Sequence, residues 1–391
     1  MIGATRLNQL QPGIFSMISK LRQQVQASGT DVIDLSVGSP DMPPPPHVKA
    51  ALIKAMEDDT NYGYTLTEGI PELKAAIASW YKINYGVILE LDKEIMSLMG
   101  SQDGLAHIYW ALINSEDIVL VPDPGYPIYY AGALLVGGKL YQMPLLEENN
   151  YLPVLSDIPK EVCQKARLMI LNYPSNPLAA TATREFFRDV VSFAKQHDII
   201  VCHDFAYSEL SYDGYKNISF LETPGAKDVG VEFHSISKTF NLAGCRLGFI
   251  VGNAEVIDAL RLIKSNIDYG IFRPTQLAAI AALNGPADCI RQNALAYQKR
   301  RDALVDTLSK YNWHIQKPRA SMFAWAKLPP SFTSSEDFAR NLLLKKGVAV
   351  VPGTAFGNCG EGYVRIGLVQ ELAKITGAGR RMGEFVAAFS S

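Results

Sequence analysis

The sequence predicts an α/β protein, with a large domain of mainly parallel strands covered by helices on both faces and a smaller α+β domain. Three observations carry this prediction. Between about residues 95 and 251, short apolar runs alternate with amphipathic helical segments, the pattern of a sheet buried on both sides. Polar and aromatic residues gather just after those runs, where ligands collect on such sheets. From about residue 276 the alternation gives way to helices followed by strand-like runs, the grammar of a second, smaller unit.

The 391 residues are 48% hydrophobic and 19% charged, which is ample material for more than one core. A net charge of −2 gives no electrostatic reason to expect a nucleic acid or an anionic membrane as partner. Cys163, Cys202, Cys245, Cys289 and Cys359 are scattered without a Cys-x-x-Cys pair. That spacing fits a reduced, cytoplasmic protein rather than a disulfide or zinc framework, and no metal site is expected. Arg6, Asn8, Gln9 and Gln11 interrupt the opening too early for a signal peptide, and no 18-residue apolar span predicts a membrane crossing.

In chain order, Ile14, Ile18, Leu21 and Val25 have helical spacing. A short strand over 32–37 then ends at Gly38, which serves either the turn or a close approach of backbone to ligand. Pro43 to Pro46 should be extended and stiff. Helices are expected over 47–57 and from Pro71 to about Tyr85, with a loop carrying Tyr62 and Tyr64 between them. Strands are expected over 95–99, 118–121, 168–171, 199–201, 231–233 and 247–251, and helices over 102–113 and 184–197. In the last third, helices over 276–284 and 289–311 precede runs at 322–326, 348–351 and 362–368, with a helix over 335–346.

The strand ends carry the chemistry. Gly100-Ser101-Gln102 enters a helix whose free amides suit a phosphate. Asp123-Pro124-Gly125-Tyr126 displays an aromatic ring, and Asn172 to Pro177 follows the next run. His203-Asp204-Phe205-Ala206-Tyr207 and Ser235-Ile236-Ser237-Lys238 complete the set. A lysine after a buried strand is costly unless it is paired, neutral or covalently used. Ser235, Ser237 and Arg246 around Lys238 supply hydroxyls and a fork suited to a phosphate. One amine beside one phosphate cradle is what pyridoxal 5′-phosphate requires. Ser235-x-x-Lys238 also matches a penicillin-binding motif, but the partner motifs Ser-Asp-Asn and Lys-Thr-Gly do not occur. There is no Gly-x-Gly-x-x-Gly or Walker loop, so nucleotide binding lacks its signature. Arg365 interrupts an apolar strand, and either pairs with an internal acid or awaits a carboxylate that arrives with substrate.

Ser-x-Ser-Lys with Arg246 eight residues on, the asparagine–proline pair at Asn176 and Asp-x-x-Tyr at Asp204 and Tyr207 together resemble the class I and II aminotransferases. The resemblance runs from Gly38 to Arg365. Gly-Ser-Gln-Asp-Gly-Leu-Ala-His-Ile and Val-Pro-Asp-Pro-Gly-Tyr-Pro look most like the bacterial LL-diaminopimelate and aspartate aminotransferase-like subgroup. It implies the fold of type I pyridoxal-phosphate enzymes, with an N-terminal arm and part of the small domain over 1–46. A large cofactor-binding domain over 47–275 and a small domain over 276–391 would follow.

The roles implied are equally specific. Lys238 would carry the cofactor covalently and shuttle a proton, with Asp204 facing the pyridine nitrogen. Asn176 and Tyr207 would bond the phenolate oxygen, and Tyr126 would stack on the ring. Ser101, Gln102, Ser235, Ser237 and Arg246 would hold the phosphate, with Tyr64 reaching in from the second subunit of a homodimer. Arg365 would take the substrate α-carboxylate, helped by the Gly38 backbone and Asn176.

The reaction implied moves an amino group between an L-amino acid and a 2-oxo acid, with glutamate and 2-oxoglutarate as the shared pair. A carbon–sulfur β-lyase on the same scaffold is the alternative. A non-enzymatic ligand sensor would need a DNA-binding domain or a lost lysine, and the chain has neither. Three positions depart from the family pattern. Leu178-Ala179 stands where Thr-Gly is usual, Cys245 stands where tryptophan is usual, and the Gly100–Gly104 loop lacks the lysine of the plant-type enzymes.

Overall fold

The structure is a computed structural model and describes residues 3–10, 14–66 and 68–390; Gln11 of the polar opening and Thr67 of the tyrosine loop lie outside the described residues. Its strands are β1 (Ile33–Asp34), β2 (Ile95–Leu98), β3 (Ile118–Asp123), β4 (Lys139–Pro144), β5 (Ala166–Asn172), β6 (Ile200–Asp204), β7 (Gly230–Ser235), β8 (Gly248–Gly252), β9 (Phe323–Lys327), β10 (Val348–Ala349), β11 (Val351–Pro352) and β12 (Tyr363–Gly367). Seven of them form one sheet in the order β2-β8-β7-β6-β5-β3-β4. Only β8 opposes its neighbours, and every other pair is parallel.

Residue alternation on these strands builds two apolar layers. Leu168 and Ile170 of β5 face one cluster with Leu105, Ile108 and Tyr109 of the helix Ser101–Leu112. Met169 and Leu171 face the other, with Phe186, Phe187, Val190, Val191 and Ala194 of the helix Arg184–His197. That helix starts where the Thr183 hydroxyl accepts the Phe186 amide at 3.1 Å, and ends at Asp198 in the left-handed conformation. Its buried residues recur at helical spacing, so a single stripe meets the sheet.

A further core lies beyond this sheet. β9 lies antiparallel to β12, which pairs on its other side with β11, and β1 runs parallel to β10. Ile33, Leu35, Phe323, Val348 and Ile366 pack there against Met382 and Phe385 of the helix Leu372–Ser390, with Leu304 and Leu308 of the helix Asp288–Ser309. Residues on either side of the large sheet in sequence therefore share one core.

Strand β4 was not expected from the sequence. It is an edge strand with only Met143 buried, so it lacks the apolar run that marks its neighbours. Pro46, grouped with the extended prolines, instead opens the helix Pro46–Met56, where its missing N–H is harmless. The run over 348–351 divides into β10 and β11, which join different sheets.

One buried polar network locks the centre of the large sheet. Glu232 of β7 and His203 of β6, side by side in register, are both fully buried. Glu232 Oε1 accepts from the hydroxyls of Tyr81 and Ser219 at 2.8 Å each, and Oε2 from the Phe220 amide at 2.8 Å. His203 Nδ1 lies 2.8 Å from Glu232 Oε2, and Nε2 lies 3.0 Å from the Tyr173 carbonyl. One proton between Nδ1 and Glu232 Oε2 joins the two side chains, while Nε2 faces the Tyr173 carbonyl. Removing Glu232 leaves the buried polar atoms of His203, Tyr81, Ser219 and the Phe220 amide without their shared partner. Glu232→Ala is expected to lower stability by about 3–5 kcal/mol in denaturant unfolding; a loss under about 1 kcal/mol would show that the network does not hold the two strands together.

Candidate active site

The carboxyl ends of the strands converge on a cavity of about 600 Å³. Ser101, Gln102, Tyr126, Asn176, Asp204, Tyr207, Ser235, Ser237, Lys238, Arg246, Arg365 and Gly38 all contribute to its lining. Tyr64 does not. It is 93% exposed, lines a separate hollow, and sits with its ring centroid 5.2 Å from that of Tyr269.

Each side chain is placed by its local backbone. β7 ends at Ser235, whose side chain accepts the Ser237 amide at 3.3 Å, and one helical turn over Ile236–Thr239 carries Lys238. Lys238 Nζ donates to the Gly38 carbonyl at 2.7 Å, so that carbonyl approaches a reactive amine. Burial pushes the lysine down to about 8, with Arg246 and Arg365 adding to the effect and Asp204 opposing it.

Asp204 caps β6. Its Oδ2 accepts the Tyr129 hydroxyl at 2.7 Å and its Oδ1 the Ala206 amide at 3.2 Å. Burial pushes the carboxyl up, while these two donors and the charges of His203 and Lys238 pull it back. Tyr129 was not recognised in the sequence. It follows Tyr126 by one helical turn at the start of the helix Ile128–Leu135, and that i,i+3 pair was the available signal. Burial and the Asp204 charge hold the Tyr129 proton in place, so it remains a donor.

Asn172, also missed, ends β5 and organises the next loop. Its Nδ2 donates to the Asp204 carbonyl at 2.7 Å and its Oδ1 accepts the Asn176 amide at 2.7 Å. Asn176 Oδ1 then accepts Arg365 Nη1 at 2.8 Å, and the Ser36 carbonyl accepts Nη2 at 2.7 Å. The Arg365 guanidinium lies 4.2 Å from the ring centroid of Phe323 and 4.8 Å from that of Phe356. Burial lowers its pKa to about 10. The departure at Ala179 is visible in the backbone, which adopts φ 55° there, a conformation glycine takes more cheaply.

At the other end of the cavity, Gly100 has φ 84° and leads into the helix Ser101–Leu112. A Cβ on Gly100 would lie 2.4 Å from Arg246 Nη2, and one on Gly248 would lie 2.6 Å from the Ser101 amide. The two glycines let the arginine fork and the first helical amides crowd together, and Ser235 and Ser237 line the same cavity. This donor set is an anion cradle.

A mixed sheet with a low-pKa lysine and a buried acid at its strand ends, faced by a buried arginine from a second core, defines an enzyme that works on amino and carboxylate groups. The chain belongs to the aminotransferase class I and II family, which it matches over residues 30–376. It is 48% identical over 363 residues to an LL-diaminopimelate aminotransferase of Dehalococcoides mccartyi, covering 93% of each chain. It is 47% identical over 365 residues to the Moorella thermoacetica protein of the same name, again covering 93% of each. Among solved structures, apo-BacF from Bacillus subtilis superposes with a TM-score of 0.96 at 38% identity over all of both chains. A probable N-succinyldiaminopimelate aminotransferase from Thermus thermophilus gives 0.90 at 35% identity, covering 95% of this chain and 99% of that one.

A cation whose pKa is lowered is neutral above that value, so the Lys238 amine becomes nucleophilic as pH rises through about 8. In cofactor-free protein, labelling of Lys238 by an amine-directed reagent, followed by peptide mass spectrometry, should rise through a midpoint at about pH 8 and level off roughly one to two pH units above it. A rate still climbing toward the ordinary lysine range would show that burial does not control this amine.

Proposed function

We propose that the protein is a pyridoxal 5′-phosphate-dependent aminotransferase acting on an acidic L-amino acid or LL-diaminopimelate, with 2-oxoglutarate and glutamate as the recurring pair. The observation that carries this reading is the low-pKa amine of Lys238 in one cavity with Asp204 and the anion cradle. The relatives named for LL-diaminopimelate support the narrower substrate.

The residues suit the cofactor. Ser101, Gln102, Ser235, Ser237 and Arg246 would hold its phosphate, Asp204 its ring nitrogen, Asn176 and Tyr207 its phenolate oxygen, and Tyr126 one ring face. When bound, the cofactor supplies an aldehyde carbon and a ring that accepts electron density. Everything else is the work of this chain. Asp204 holds negative charge at one edge of the cavity, aimed by Tyr129 and the Ala206 amide. Arg365 offers a planar pair of donors to the α-carboxylate and thereby fixes which bond of the substrate faces Lys238. Lys238, neutral above about pH 8, can take a proton from the α-carbon and return it to a neighbouring atom.

We further infer a homodimer in the cytoplasm. The exposed rings form two surface pairs, Tyr62 with Phe272 and Tyr64 with Tyr269, an arrangement suited to a subunit contact through which Tyr64 would reach a neighbouring cradle. Among the described residues no helix is long and apolar enough to cross a membrane, and none of the five cysteines is in a disulfide.

Two measurements test the reading. Mixing the holoenzyme with a panel of amino acids should bleach the bound-cofactor absorbance with aspartate, glutamate or LL-diaminopimelate; release of pyruvate without any 2-oxo acid acceptor would favour the β-lyase instead. Lys238→Ala should still bind cofactor yet lose amino transfer by roughly 10²-fold or more, the scale of a lost general base. Normal turnover in that variant would remove Lys238 from the chemistry.

A further inference from the structure

The helix Asp288–Ser309 packs into the second core through Leu304 and Leu308. Toward its N-terminus the buried face turns polar, with Asn293 5% and Arg300 7% exposed. A spacing of seven residues puts these two on one side of the helix, two turns apart. Neither has a task in the reaction just described, and each reaches a different end of Lys238.

Asn293 holds the backbone. Its Nδ2 donates to the Lys238 carbonyl at 3.2 Å and to the Thr239 carbonyl at 3.4 Å. The single turn over Ile236–Thr239 is too short to satisfy those carbonyls itself. Asn293 Oδ1 accepts from Asn241 Nδ2 at 3.4 Å, and the same Nδ2 donates to the Pro43 carbonyl at 3.3 Å. Arg300 acts at the far end of the lysine. Its Nη1 and Nη2 form a two-point pair with the Asp41 carboxylate at 2.7 Å each, and Nη1 also donates to the Leu368 carbonyl at 3.0 Å. Asp41 lies three residues after Gly38, whose carbonyl accepts the Lys238 amine at 2.7 Å. Leu368 directly follows β12, the strand that carries Arg365. The guanidinium therefore clasps segment 38–41 to the end of β12. A Cβ on Gly38 would lie 2.9 Å from the Phe323 ring, so that segment is pressed close against β9.

We propose that Asn293 and Arg300 are positioning residues for Lys238. The first fixes the backbone from which its side chain springs, and the second fixes, through Asp41, the carbonyl that receives its amine. This rests on the amino-transfer reading for the use made of that amine. The charged groups facing the amine are Arg246, Arg365 and Asp204, with Arg22 in the same cavity wall, while burial holds the protons of Tyr126 and Tyr207 in place. Asn293 and the Arg300–Asp41 pair add no net charge to this set. What they supply is closure, because burial is the leading cause of the easy loss of the Lys238 proton. Burial lasts only while the turn and segment 38–41 stay shut over the amine.

The test follows Lys238 labelling against pH in the full-length, cofactor-free chain, read by peptide mass spectrometry. Asn293→Ala, Arg300→Gln and Asp41→Asn should each admit water to the amine and raise the labelling midpoint by about half a pH unit or more, roughly a threefold loss of reactive amine at about pH 7. Charge alone would separate the last two: losing a cation raises a lysine pKa, whereas losing an anion lowers it. A common upward shift therefore reports position. Arg300→Lys keeps the charge but loses the two-point grip, so it should shift the midpoint the same way by less, and it serves if the glutamine variant folds poorly. In the holoenzyme, Asn293→Ala should lower kcat with KM nearly unchanged, since it touches no group that binds a carboxylate. Unmoved midpoints, opposite shifts for Arg300→Gln and Asp41→Asn, or a change in KM alone overturn the proposal, even if the variants unfold more easily. Failure of the amino-transfer reading looks different: the labelling shifts would stand, while the unaltered holoenzyme exchanged an amino group with no amino acid at all.

Discussion

The active cavity depends on holding several charges close together away from water. Lys238, Asp204 and Arg365 are each largely or wholly buried, and each would be costly alone. Neutral dipoles help to hold them: the Tyr129 hydroxyl and Ala206 amide at Asp204, the Gly38 carbonyl at Lys238, and Asn176 with the Ser36 carbonyl at Arg365. The amine loses its proton near pH 8 because burial and two arginines act in the same direction.

The same contacts join the two cores. Asn176 follows β5 of the large sheet, whereas Arg365 lies in β12 beside Trp325 of β9. Asn172 connects them by binding the carbonyl of Asp204 and the amide of Asn176. Any shift of one core relative to the other therefore moves the α-carboxylate site relative to the acid and the amine. Beneath this surface, the His203–Glu232 pair ties β6 to β7, whose ends carry Asp204 and the Lys238 turn.

How much of this was legible in the sequence varies with the range of the interaction. The strand-end residues were readable because each followed an apolar run directly, and parallel sheets place such ends together. Tyr129, Asn172 and Phe323 were not, because their roles depend on which face of a helix or loop turns inward. β4 escaped because an edge strand needs no apolar run, and the reversal of β8 leaves no mark in composition.

By itself the sequence determined the α/β class, the lysine–arginine–acid set and the phosphate-suited glycine and hydroxyl positions, since these follow from local periodicity and from what buried charges require. Only the tertiary structure decided that Arg22, from the first helix, stands in the same cavity wall as Arg365, more than 300 residues away. It also decided that Asp204 is aimed by Tyr129 and that Arg365 spans two cores. The physical reason is that pairing among distant polar groups is settled by how the layers close on one another, and no short window of residues encodes that closure.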